Sequence, residues 1–139
     1  MADYMADEIV STPRPLTSKE MELLAWLLEH GLLKAETFTQ QVENIRATPW
    51  CECGCPSISL HVEEYAALGK CSYSLISDIL AKTPDGKKIG VLLFQDAGRL
   101  SLLEAYSMDV IEGEWGFPVY ESLQTWEDFG RSTMKETKE

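Results

Sequence analysis

The sequence lacks the segments that would carry it into a membrane. No run approaches the ~20 apolar residues of a spanning helix. The opening Met1–Val10 has no basic start and no apolar stretch, and it carries Asp3, Asp7 and Glu8. It therefore does not read as a signal peptide. The expectation is a cytoplasmic protein whose thiols are reduced. Positive charge is also scarce: 12 Lys and Arg stand against 23 Asp and Glu, a net charge of −11. Such a balance disfavours nucleic acid and anionic membrane surfaces, which attract basic proteins. It leaves a basic protein partner, self-association or cations. Only two histidines occur, His30 and His61, and they lie far apart in sequence. There is no G-x-S-x-G elbow, no phosphate-binding glycine loop and no H-E-x-x-H. Neither an internal repeat nor a low-complexity linker is present. The 139 residues are therefore expected to form a single domain, with 1–15 as a loose arm and 132–139 as a frayed tail.

Against these absences stands a cluster of thiols. Trp50-Cys51-Glu52-Cys53-Gly54-Cys55-Pro56 holds every cysteine but Cys71. Gly54 and Pro56 argue against a regular strand and for a tight turn. Such a turn can bring two thiolates onto one metal ion. Tetrahedral zinc would then draw its other ligands from His61 and Cys71. The spacing is not a paired C-x₂-C pattern. C-x-C also lacks the C-x-x-C arrangement that lowers a thiol pKa. The plain alternative is reduced cysteines acting as small apolar residues. A thiol-dependent enzyme with Cys55 and His61 as its reactive pair rests on residue type alone.

Thr17-Ser18-Lys19-Glu20 fits a capping box and opens a helix that Gly31 closes. Met21, Leu24, Leu27 and Leu28 recur at helical spacing, widened by Leu23 and Trp26. His30 suits the C-terminal end of that helix, where the dipole favours it. A second helix is expected at about Lys34–Ile45. Ala35, Phe38, Val42 and Ile45 would share its buried face, with Glu36, Gln40, Gln41 and Glu43 in water. So short a link between the two predicts a helical hairpin.

Past the cysteines the period changes to two. Ile58, Leu60 and Val62 alternate with polar residues, and His61 falls on the polar face. Glu63–Lys70 is ambiguous. Strands are expected at Leu75–Lys82, Lys88–Gln95 and Leu100–Ser107. The turns Thr83-Pro84-Asp85-Gly86 and Asp96-Ala97-Gly98-Arg99 join them. Ile89, Val91 and Leu93 fill one face of the middle strand and Leu92 and Phe94 the other, as in a strand covered on both sides. Leu100, Leu102 and Tyr106 are expected on one face of the last strand, with Glu104 exposed among them.

The stretch from Leu100 to Gly130 has no Lys or Arg. It combines Glu112, Glu114, Glu121, Glu127 and Asp128 with Trp115, Phe117, Tyr120, Trp126 and Phe129. Aromatics supply most interface energy, and carboxylates beside them steer a basic partner inward. Glu112, Glu114, Trp115, Phe117, Tyr120, Glu121 and Trp126 are therefore the candidate partner-binding residues. The same rings could instead cap the core.

Three stretches carry a resemblance: Arg14-Pro15-Leu16-Thr17, Cys51-Glu52-Cys53-Gly54-Cys55-Pro56, and Leu92 through Glu104, ending L-x-x-L-E. Together they resemble short, uncharacterised bacterial cytosolic proteins with a C-x-C-G-C turn. That resemblance implies a single-domain fold and no activity. A looser similarity, in the opening R-P-L, the helices and the meander, runs to immunity partners of bacterial toxins. It implies a protein that binds another protein.

The fold class expected is α+β: an N-terminal helical hairpin packed on an antiparallel β-meander of about four or five strands. The leading function is a non-catalytic protein that binds another through its acidic, aromatic-rich surface. A zinc protein with a structural site at Cys51, Cys53 and Cys55 is the alternative, and a thiol-dependent enzyme the third.

Overall fold

The computed structural model describes residues 12–31, 36–50, 55–62 and 74–137. Its strands are β1 (Arg14–Pro15), β2 (Ile45–Pro49), β3 (Ile58–Val62), β4 (Ser74–Lys82), β5 (Lys88–Asp96), β6 (Arg99–Ser107) and β7 (Gln124–Thr125). All seven join one antiparallel sheet in the order β1-β2-β3-β6-β5-β4-β7. Helix α1 spans Ser18–Glu29, α2 is one turn at Glu36–Thr39, and α3 spans Trp126–Thr137.

This architecture is mostly sheet, and it overturns the expected helical hairpin on four or five strands. The helix expected over Lys34–Ile45 gives way, within the described residues, to α2, a 3-10 turn at Val42–Asn44 and then β2. Ile45 fits the helical stripe, but it also begins the alternation Ile45, Ala47. A ladder running from Ile45↔Val62 to Pro49↔Ile58 decides the competition. Hydrogen bonds to a neighbouring strand supply what a short, isolated helix cannot. The two-residue strands β1 and β7 extend the sheet at its edges. Arg14 and Pro15, expected in a loose arm, pair with β2 at Arg14↔Ala47 and Pro15↔Arg46.

The first helix forms where the sequence places it. Thr17 Oγ1 accepts the Glu20 N–H at 3.1 Å, and Glu20 Oε1 accepts the Thr17 N–H at 2.9 Å. Two backbone donors at the start of the helix are thus satisfied reciprocally. Glu20 is buried and is also held by Arg14 through two hydrogen bonds of 2.9 Å. At the other end His30 is the C-cap: its ring stacks on Trp26 with centroids 3.9 Å apart.

Leu24, Leu27 and Leu28 of α1 share one core with Ile79, Val91 and Leu93 of the sheet. The opposite face of the sheet carries Asp78, Leu92, Phe94, Glu104 and Tyr106, all of them half-buried. The middle strand expected to be covered on both faces is therefore fully covered on only one. β6 also departs from its expected phase. A bulge lies opposite Phe94/Gln95, so that Leu102 pairs with Phe94 while Leu100 pairs with Gln95. That extra residue turns Leu100 and Leu103 into the core and leaves Glu104 and Tyr106 on the other face.

β3 joins β6 at only two positions, Ile58↔Leu103 and Ser59↔Leu102. Side chains extend this short seam at both ends. Ser57 Oγ accepts the Ala105 N–H at 2.8 Å and lies 3.3 Å from the Ala105 carbonyl. Gln41 Nε2 donates to the Gly98 carbonyl at 2.8 Å, and its Oε1 accepts the Leu100 N–H at 2.9 Å. A carboxamide has the donor and acceptor of a peptide group, so Gln41 substitutes for a strand. It was expected in water and is 1% exposed.

Candidate functional site

The C-terminal stretch separates into two groups of rings. Trp115 and Phe117 are half-buried and pack against the core, which assigns them the capping role. Their loop passes over the β4–β5 turn so closely that a Cβ on Gly116, at φ +75°, would lie 2.9 Å from Pro84. Tyr120, Trp126 and Phe129 are 50%, 43% and 36% exposed. Glu112, Glu114 and Glu121 are exposed as well.

Local pairing sets the exposed group. Val119 N–H donates to the Lys82 carbonyl at 2.9 Å, and Ser122 Oγ accepts the Lys82 N–H at 2.8 Å. These bonds dock the 3-10 turn Tyr120–Ser122 on the end of β4. β7 then pairs with β4 at Ile79↔Thr125 and Leu80↔Gln124. Thr125 Oγ1 accepts the Asp128 N–H at 3.0 Å and starts α3. The tail expected to fray after Arg131 continues as helix to Thr137. Arg131 reaches back to Glu127 at 3.3 Å and Asp128 at 3.1 Å.

Two recesses result. One is a groove of about 240 Å³ whose lining includes Leu80, Met108, Trp126 and Phe129 together with Lys82 and Lys88. Trp126 and Phe129 meet edge to face, centroids 6.1 Å apart. The indole Nε1 donates to Asp78 Oδ1 at 2.9 Å, which fixes the ring against the half-covered face of the sheet. The other is a polar cleft of about 410 Å³ that shares Lys82, Ser122 and Gln124 with the groove and adds Glu121 and Asp128. On the same sheet face, burial pushes the Tyr106 phenol up, and the charges of Asp78 and Glu104 push it further.

The cysteine site stands differently. Cys51, Cys53 and Cys71 lie outside the described residues, as does the ambiguous Glu63–Lys70. Cys55 is half-buried, with its Sγ 3.3 Å from Ser57 Oγ. His61 Nε2 is 2.9 Å from Thr48 Oγ1. The two groups considered as a reactive pair thus each have a hydroxyl partner. Among the described residues no three His, Cys, Asp or Glu side chains converge as metal ligands. No described helix is long and apolar enough to cross a membrane.

Sequence reasoning named Tyr120, Glu121 and Trp126 but gave no role to Asp78, Met108 or Lys82. The signal for α3 was present in Thr125-Trp126-Glu127-Asp128, a capping residue with a carboxylate three positions on. Asp78 meets Trp126 through the pairing of β7 with β4, and Met108 is held at the groove by its N–H bond to the Lys88 carbonyl at 2.9 Å.

No family model, curated protein or solved structure matches the chain. The resemblance to short bacterial proteins rests on its motifs alone.

Proposed function

We propose that this chain is a non-catalytic binding protein whose target is a segment of another protein with an apolar anchor next to a basic residue. The observation that carries the reading is the adjacency of the two recesses. Trp126 and Phe129 present exposed aromatic edges in an apolar groove, and Glu121 and Asp128 line the cleft beside it. Exposed aromatic anchors with carboxylates nearby suit a basic partner. The groove is lined mainly by apolar side chains and takes the apolar anchor, while the partner's cation meets Glu121 at the cleft, where Asp128 is already held by Arg131 and Lys82 lines both recesses. An immunity-type role, in which such a surface caps a basic toxin, belongs to this class.

A synthetic peptide of alternating leucine and arginine tests the reading, with a leucine–glutamate peptide as control. Saturable quenching of tryptophan fluorescence is expected with the first peptide only. It should weaken as salt rises, because exposed charges are screened over ~8 Å at physiological ionic strength. Trp126→Ala and Glu121→Gln should each reduce affinity. Equal binding of both peptides, or binding indifferent to Trp126→Ala, would sink the proposal. Concentration-dependent sedimentation that Trp126→Ala abolishes would instead make a second copy of this chain the occupant.

A further inference from the structure

At the other end of β5, about 26 Å away at ~3.3 Å per residue, the sheet forks. After Ser59↔Leu102 strands β3 and β6 no longer pair. Between them opens a cleft of about 450 Å³, lined by Leu60–Val62 on one side and Arg99–Ser101 on the other. That volume is ordinary for a small-molecule site. The fork is held open by named bonds. Gln41 occupies Leu100, which the β3 register would place opposite His61, and Gly98 beyond it, and the bulge near Ser101 bends β6 away. Bulges at such places re-aim side chains. The hairpin beyond carries Ala97 at φ +56°, the one non-glycine residue with positive φ among those described.

The cleft has a definite chemistry. Arg99, His61 and Ser101 can all donate hydrogen bonds into it, and Asp96 is the one carboxylate among its described lining residues. Arg99 Nε is buried and makes no hydrogen bond among the described residues. A buried guanidinium N–H without an acceptor is costly, and its fork geometry matches a carboxylate or phosphate oxygen pair. Thr48 orients the His61 ring through Nε2. Arg46 stands opposite His61 in the β2–β3 register and adds a further cation beside the fork. In a chain with a net charge of −11, this grouping of Arg46, His61 and Arg99 runs against the overall balance.

We propose that the fork cleft binds a small ligand through an oxyanion, carboxylate or phosphate, with Arg99 as its principal contact. His61 and Ser101 supply further donors.

The test is NMR titration of the full chain with inorganic phosphate and, separately, with succinate, at constant ionic strength. Saturable shifts are expected at the Arg99 Nε–H and at the amides of His61 and Ser101. Arg99→Gln should weaken binding by about tenfold or more, the scale of a charge-assisted bidentate contact. Arg99→Lys keeps the charge without the fork and should fall between. It also serves as the folded control if Arg99→Gln loses stability. Trp126→Ala should leave the titration unchanged, because that ring lies against Asp78 of β4, two strands away from β6. Saturation by one probe alone assigns phosphate or carboxylate. Shifts that never saturate, or that persist equally in Arg99→Gln and Arg99→Lys, overturn the proposal.

Discussion

Gln41 and Leu100 lie 59 residues apart and are joined by one hydrogen bond, Leu100 N–H to Gln41 Oε1 at 2.9 Å. With the bond from Gln41 Nε2 to Gly98 at 2.8 Å, it seals the edge of β6 that β3 leaves. Removing the carboxamide strands two backbone groups at once. Gln41→Leu keeps the volume and should cost about 2–6 kcal/mol, since each of the two buried unsatisfied groups costs ~1–3. Urea denaturation measures the loss, and hydrogen exchange should show the Leu100 amide losing protection most. A change within error would mean that water replaces the side chain.

Gly90 and Tyr106 are cross-strand partners, and the phenol ring lies where a side chain on Gly90 would be. A Cβ there would meet ring atoms at 2.1–2.4 Å. An aromatic covering a strand glycine restores packing that the glycine forgoes. Gly90→Ala should therefore cost about 1–3 kcal/mol by overpacking. In a Tyr106→Ala background it should cost far less, because no ring remains to be displaced. Additive losses in that double-mutant cycle would show that the two residues do not interact.

Ala97 at φ +56° and Gly98 at φ +84° form the two-residue loop between β5 and β6. Positive φ at both central positions is the hairpin geometry that asparagine–glycine prefers. Gln95 Oε1 accepts the Gly98 N–H at 2.8 Å and holds the loop closed. Ala97→Asn should raise stability by about 0.5–1 kcal/mol, since asparagine tolerates the left-handed region better than alanine. A lowered melting temperature would mean that the methyl group packs productively at the mouth of the cleft.

How far the fold could be read follows from which interactions are local. The Thr17–Glu20 box, the alternation from Ile58 to Val62 and the two turns after Lys82 and Gln95 are each written within a few residues. All of them formed. The helix expected over Lys34–Ile45 failed because Ile45 and Ala47 are claimed by β3, whose pairing no local pattern announces. Gln41 misled for the same reason: a carboxamide on a polar stripe reads as solvated until its partners at Gly98 and Leu100 are known. The phase of β6 was misread because one bulge residue reverses every side chain before it.

At the candidate site, composition found the acidic, aromatic stretch but could not sort its rings. Trp115 and Phe117 turn inward because Gly116 lets their loop press on Pro84. Trp126 stays outside because β7 docks it beside Asp78, 48 residues away in sequence. Arg99 carried no sequence signal at all. It reads as a hairpin residue, and only the fork between β3 and β6 makes it the wall of a cleft.

The pH dependence of stability should centre on Glu20. Burial pushes its carboxyl up, but the hydrogen bonds from Arg14 and from the Thr17 N–H, with the Arg14 charge, outweigh that and leave it below the ordinary value. A carboxyl lowered in the folded state binds fewer protons there than in the unfolded chain. Its contribution is therefore fully present above the unfolded value, about 4.3, and is lost as pH falls through the lower folded value. Glu20→Gln should destabilise the protein at neutral pH, where the ion pair to Arg14 and the charged cap are lost together. In strong acid Glu20 is itself protonated and no longer differs in charge from glutamine, so the two stability curves should converge. Arg14→Ala should flatten the acid limb in the same direction but less, because the Thr17 N–H still binds the carboxylate. Urea titrations of the three proteins from neutral pH down to pH ~2 measure the effect. A gap between wild type and Glu20→Gln that stays constant across that range would show that the cap acts through shape alone.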